Sequence, residues 1–173
     1  VGQETHAGAG PCLFGVWAEL PAARRGGHGG GGGGGGGGQP QGRLAWTKDP
    51  SWEIRQLYLP ESLTTDVSLK NSTLGLSLQC NDVVDFHRNV YVRRIRVTND
   101  MDVARVVKVF HHHDLLMFGT RIGDTAYYDP ELRGMVHYRT KRYVMATFFE
   151  AGEQRIDEFA TGTSGFGGAE GTY

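Results

Sequence analysis

Apolar and polar positions alternate with a period of two over most of this chain, and that alternation predicts its elements. Trp52, Ile54, Gln56 and Tyr58 share one parity while Glu53 and Arg55 take the other, and Pro60 ends the run. Leu63, Thr65, Val67 and Leu69 then alternate with Thr64, Asp66, Ser68 and Lys70, the pattern of a strand with one wet face. Asn71, Ser72 and Thr73 form a turn, and Leu74, Leu76, Leu78 and Cys80 alternate with Gly75, Ser77 and Gln79 on the return, giving an antiparallel hairpin. In the strand at 90–97 the apolar parity switches across Arg93 and Arg94, which a β-bulge would reconcile.

The strand at 104–113 carries Val106, Val107, Val109 and Phe110 on both parities, as expected where both faces are covered. Residues 135–140 and 143–149 read as a last hairpin around Lys141 and Arg142. No stretch before Glu150 holds a helical period over three turns. Strands about ten residues apart with turn signals between them predict an all-β fold, an antiparallel β-sandwich.

A low-complexity segment at 21–41 interrupts this pattern, and from 26 to 38 every residue except His28 is glycine. Such a segment cannot bury a core. It lies between a strand at 13–18 and a partner at 43–46, so it reads as an expanded, flexible hairpin loop inserted into one domain spanning 1–173. Lengthening a short turn to some twenty residues costs only about 2 kcal/mol of closure entropy. A phosphate-cradling loop would need a lysine and a serine or threonine that the tract lacks.

Composition narrows the function classes. Hydrophobic residues make up 39% and charged residues 21% of 173, as in a globular domain, and a net charge of -1 gives no strong field for nucleic acid or an anionic membrane. Neither partner is expected. No run of about 18 apolar residues could span a bilayer, and no signal peptide is visible, which makes a cytoplasmic location the expectation. The opening at Val1 suggests a fragment or a processed start. Two cysteines are too few for a disulfide scaffold, and Cys80, on the apolar parity of its strand, reads as a buried thiol.

Four constellations carry candidate chemistry. His111 and His113 would project from one face of a strand next to His112 and Asp114, but a zinc site needs a third ligand, and His6, His87 or His137 would have to supply it. No metal or cofactor is expected. Asp124, Asp129 and Glu131 could supply the paired carboxylates of glycosidic hydrolysis, yet their neighbours Gly123 and Pro130 fit turns where acids cap backbone amides. Tyr127 and Tyr128, with Trp17, Trp46 and Trp52, could stack on sugars, although most aromatics of a sandwich are core. The run Asn71-Ser72-Thr73 matches a glycosylation sequon.

Five stretches together resemble the N-terminal β-sandwich domain of bacterial and archaeal glycoside hydrolase family 15, the glucoamylase-like proteins. They are VGQETHAGAGPCLFGVW, SWEIRQLYLPESLTTDVSLKN, DFHRNVYVRRIRVTN, FHHHDLLMFGTRIGDTAYYDPELRGMVHYRTKRY and FATGTSGFGGAEGTY. The resemblance implies part of a large antiparallel super-sandwich that packs against a helical barrel carrying two catalytic glutamates. It implies hydrolysis of α-glucosidic bonds with inversion by the whole enzyme, and it places no catalytic residue in this chain.

The resulting expectation is a non-catalytic domain whose partner is the catalytic helical barrel of the same enzyme, with α-glucan or oligosaccharide nearby. The alternative is a stand-alone carbohydrate-binding module. The loop around 123–129, taken as lying outside any strand, and the glycine-rich tail are the expected contacts. Asp124, Thr125, Tyr127, Tyr128 and Asp129 are the candidate interface or sugar-proximal residues.

Overall fold

The computed structural model describes residues 12–21, 41–119 and 122–162, and the glycine tract and the end of the tail lie outside them. All regular elements among the described residues are strands, twelve in number, and every described register is antiparallel. The fold class is all-β, as the period-two pattern predicts. Two compact units arise, one formed by Phe14–Phe110 and the other by Val1–Leu13 with His111–Tyr173.

The first unit is a two-layer sandwich. Strands β1 (Cys12–Glu19) and β2 (Gly42–Trp46) pair antiparallel on either side of the glycine tract, and β7 (Val107–His113), which begins in this unit, follows β1 in the order β2-β1-β7. The second layer has the order β3-β4-β5-β6, with β3 at Glu53–Tyr58, β4 at Thr65–Asn71, β5 at Leu76–Val84 and β6 at Tyr91–Asn99. Phe14, Val16, Ala18 and Ala45 from one layer join Val67, Leu69, Leu76, Leu78 and Cys80 from the other in a single buried cluster. Alternate side chains of β1, β4 and β5 therefore fill the space between two sheets.

On the opposite face of the larger sheet the alternation places Asp66, Gln79, Asn81 and Arg96, which form a hydrogen-bonded polar ladder. Trp52 also enters the core, and Trp46 is buried. A Cβ at Gly42 would collide with the indole of Trp17, so glycine there lets that ring lie across the neighbouring strand. Trp46 and Trp52 are thus buried, which removes them from the sugar platform considered above, while Trp17 is half-buried.

Three local expectations change. The β5–β6 register runs unbroken from Leu76↔Asn99 to Val84↔Tyr91, so no bulge forms at Arg93 and Arg94. Arg93 instead occupies an inward position directly opposite Asp82, where an ion pair at 2.6 Å takes the place of an apolar contact. Strand β7 is only partly covered: Val107 packs against the core and residues 110–113 are half-buried, whereas Val106 and Val109 are exposed, and β1 is its one described neighbour in the sheet.

The sequon is closed by the fold. Asn71 is buried; its Nδ2 donates to Ser51 Oγ at 3.0 Å and its Oδ1 accepts from the amide of Leu74 at 2.9 Å, which shapes the β4–β5 turn. A glycan on that nitrogen requires the turn to open. Cys80 is a free, buried thiol, and burial pushes its pKa up to about 11.

The second unit contains a three-stranded sheet of order β10-β9-β8, with β8 at Thr125–Asp129, β9 at Gly134–Arg139 and β10 at Arg142–Ala146, and a small ribbon of β11 (Phe149–Glu150) with β12 (Glu153–Gln154). The last hairpin forms as expected, with its tip one residue earlier, at Thr140 and Lys141, because Arg139 pairs with Arg142. Thr140 takes φ 53°, the left-handed conformation that so short a loop demands. Gln154 Nε2 donates to the carbonyls of Leu132 and Arg133 and to Thr147 Oγ1, tying the ribbon to the β8–β9 turn.

Candidate functional site

The stretch from Asp124 to Asp129 is not the irregular loop expected from its acids and proline. Residues 125–129 are strand β8, paired in register with β9 from Thr125↔Tyr138 to Asp129↔Gly134. Backbone pairing wins because Thr125, Tyr127 and Tyr128 suit a pleated surface, while the acids at either end satisfy turn amides. Asp129 Oδ1 accepts from the amides of Glu131 and Leu132, both at 3.0 Å. Asp124 Oδ2 accepts from the amide of Met117 at 3.2 Å. Its Oδ1 lies 3.8 Å from Arg139 Nη1, an ion pair too long to be a hydrogen bond.

Alternation along β8 sends the two tyrosines of the candidate set to opposite faces. Tyr128 turns inward and stacks on Phe159 with ring centroids 4.3 Å apart. Tyr127 and Thr125 are exposed on the other face, which they share with the buried Val136. There the register adds two residues that sequence reading passed over: Tyr138 lies opposite Thr125 and opposite Tyr143. Tyr138 and Tyr143 are stacked, with centroids 5.8 Å apart and planes at 16°, and Tyr127 meets Tyr138 edge-on at 6.1 Å. Three phenol rings thus form one continuous strip across three strands.

The signal for it was present in the chain. A two-residue loop at Thr140 and Lys141 sets Tyr138 against Tyr143, so the correct hairpin tip reveals the pair.

At the outer edge of the strip lies a shallow groove of about 510 Å³, lined by Leu115, Leu116, Met117 and Val144, with Tyr143 at its lip beside Lys141 and Arg142. Phe118 lies against two guanidinium groups, 5.0 Å from that of Arg139 and 4.2 Å from that of Arg142, and Arg142 Nη1 donates to the carbonyl of Met117 at 3.2 Å. The segment after β7 is thereby fastened to the sheet, and the groove has a defined wall.

The histidines form a second grouping. His111 and His113 have ring centroids 6.3 Å apart, His111 packs on Phe148 at 4.6 Å, and His137 of β9 meets His113 edge-on at 5.4 Å. Of the three outside histidines, His137 reaches the pair, His87 is exposed on a turn next to Phe86, and His6 lies outside the described residues. Among the described residues no group of three or more His, Cys, Asp or Glu side chains is arranged to hold a metal ion.

Burial lowers the pKa of His137 from 6.5. The unfolded chain therefore binds more protons below that pH, so the stability His137 contributes is present above pH 6.5 and declines as pH falls toward its folded value. We expect urea midpoints to drop between pH 7.5 and pH 5.5, with a shallower drop in His137→Phe. Parallel pH profiles of the two proteins would refute this origin.

Comparison with known proteins adds one relation. The chain is 25% identical over 120 residues, 69% of its own length, to an uncharacterized glycosyl hydrolase of Methanocaldococcus jannaschii. This is a general link to glycosyl hydrolases. The chain spans 18% of the length of that relative. No family model and no solved structure matches the chain. Among the described residues no helix is long and apolar enough to cross a membrane.

Proposed function

We propose that this chain is a non-catalytic N-terminal β-sandwich domain of a glucoamylase-like glycoside hydrolase of family 15, whose whole enzyme cleaves α-glucosidic bonds with inversion. Its role is to fold with and support the catalytic helical barrel, in the cytoplasm. One observation carries the reading: most of an all-β chain aligns with less than a fifth of a glycosyl hydrolase. The acids agree with it, since Asp124 and Asp129 are engaged with backbone amides and do not face each other across an open cleft. The stretch 124–129 is where this domain meets the barrel or its sugar.

The purified chain is expected to release no glucose from maltooligosaccharides, and release would overturn the reading. In the whole enzyme, Asp124→Asn is expected to lower the melting temperature while leaving kcat unchanged. A large loss of turnover at unchanged stability would place this stretch at the chemistry.

A further inference from the structure

The exposed face of the β8–β9–β10 sheet differs in kind from the faces that make the core of the first unit. Core positions there are aliphatic, such as Val67, Leu69, Leu76 and Leu78. This face presents Tyr127, Tyr138 and Tyr143 with Thr125 around a buried Val136 and a half-exposed Met145, and Tyr127 is 43% and Tyr143 66% exposed. Covering it with another apolar sheet would bury three phenol hydroxyls and a threonine hydroxyl without water, a cost that Leu or Val at these positions would avoid. A ligand with its own hydroxyl groups along an apolar body meets the same surface without that cost.

We propose that the strip Tyr127–Tyr138–Tyr143 binds a neutral oligosaccharide chain. Sugar rings lie with their apolar faces against the near-parallel rings of Tyr138 and Tyr143, Tyr127 bounds the strip edge-on, and the sugar hydroxyls exchange hydrogen bonds with the phenols and Thr125. Three features fit this occupant. The strip itself carries no charged side chain, which suits an uncharged ligand. The rings follow one another across three strands, with successive centroids 6.1 and 5.8 Å apart, so they offer several contacts to an extended chain rather than one pocket for a monosaccharide. Tyr143 also stands at the lip of the 510 Å³ groove, where Lys141 and Arg142 can donate to hydroxyls of a sugar lying beyond the strip. Tyr128 plays no part, because it faces the other way and is stacked on Phe159.

The choice of an α-glucan as the probe rests on the glucoamylase-like reading, whereas the strip as a sugar platform rests on the geometry alone. Calorimetric titration of the 173-residue chain with maltoheptaose and, separately, with cellohexaose tests both. Saturable binding of maltoheptaose is expected. Tyr143→Ala should weaken it about three- to tenfold, Tyr143→Phe should keep most of it because the ring remains, and Leu57→Ala in the other unit should leave it unchanged. Tyr143 is the position to change first, since its exposure leaves the fold intact; circular dichroism and melting of each variant verify this. Binding of cellohexaose but not maltoheptaose would sustain the strip and overturn the α-glucosidic assignment. Binding of neither sugar would overturn the strip and leave the scaffold role standing. A chain that sediments as a dimer and becomes monomeric in Tyr143→Ala would also overturn it, by making this face a protein interface.

Discussion

Replacing Arg93 by methionine is expected to cost about 2–4 kcal/mol of stability, a loss of about 5–15 °C in melting temperature for a chain of this size. Arg93 and Asp82 lie directly opposite on β6 and β5, and their side chains are only 25% and 19% exposed. Arg93 Nε donates to Asp82 Oδ1 at 2.6 Å and Nη2 to Oδ2 at 3.1 Å, while the guanidinium also lies 5.3 Å from the centre of the Phe14 ring. Without Arg93 the carboxylate keeps the hydroxyls of Tyr91 and Thr65 but loses its countercharge in a half-dry setting. The cost is mostly that of the stranded partner, so the double variant Asp82→Val with Arg93→Met should recover most of it. Additive losses in this cycle, with no recovery, would mean that the two groups are not coupled.

The same pair fixes an acid limb. Burial works to raise the Asp82 carboxyl, but hydrogen bonds from Arg93 and Tyr91 outweigh it and hold the group below 3.8. A depressed carboxyl contributes stability that is present above its unfolded pKa and lost as pH falls through the folded one. The double variant should therefore lose less stability than the natural chain between pH 4 and lower pH. His137 acts over the higher window, near and below pH 6.5, so the two contributions separate along one titration.

The alternating segments were legible in the chain because burial on one face leaves a period-two trace in each strand. The pairings of β1 with β2, β4 with β5 and β9 with β10 follow from it directly. What misled was chemistry that substitutes for hydrophobicity. Arg93 breaks the apolar parity of β6, and a reading by polarity alone inserts a bulge where an ion pair keeps the register continuous. Val106 and Val109 mislead in the other direction, since they read as covered positions and are exposed, while residues 110–113 of β7 are half-buried.

The candidate site was legible in part for a related reason. Tyr127 was found as an aromatic near acids, yet the acids proved to be turn caps and the adjacent Tyr128 an inward stacking residue. A site made by lateral register depends on partners that are distant along the chain. Tyr138 and Tyr143 meet in the strip because the hairpin tip is at Thr140 and Lys141; a tip one residue later sets Tyr143 opposite Thr140 instead.

Leu76→Ala should be the most damaging of the simple truncations, at about 2–5 kcal/mol. Leu76 is 0% exposed, opens β5 in the middle of the larger sheet, and lies in register between Asn71 of β4 and Asn99 of β6. Neighbours on both sides hold the backbone, so the sheet cannot close over the lost methyl groups, and the void opens in the buried cluster that both layers share. Leu57, on β3 of the same sheet, is the internal control. It is 68% exposed on the opposite parity from Ile54, and Leu57→Ala should change stability by no more than about 0.5 kcal/mol. Urea unfolding of both variants measures the contrast. Equal losses would deny the two-layer core, because only a core between the sheets distinguishes two leucines of one sheet by the face they occupy.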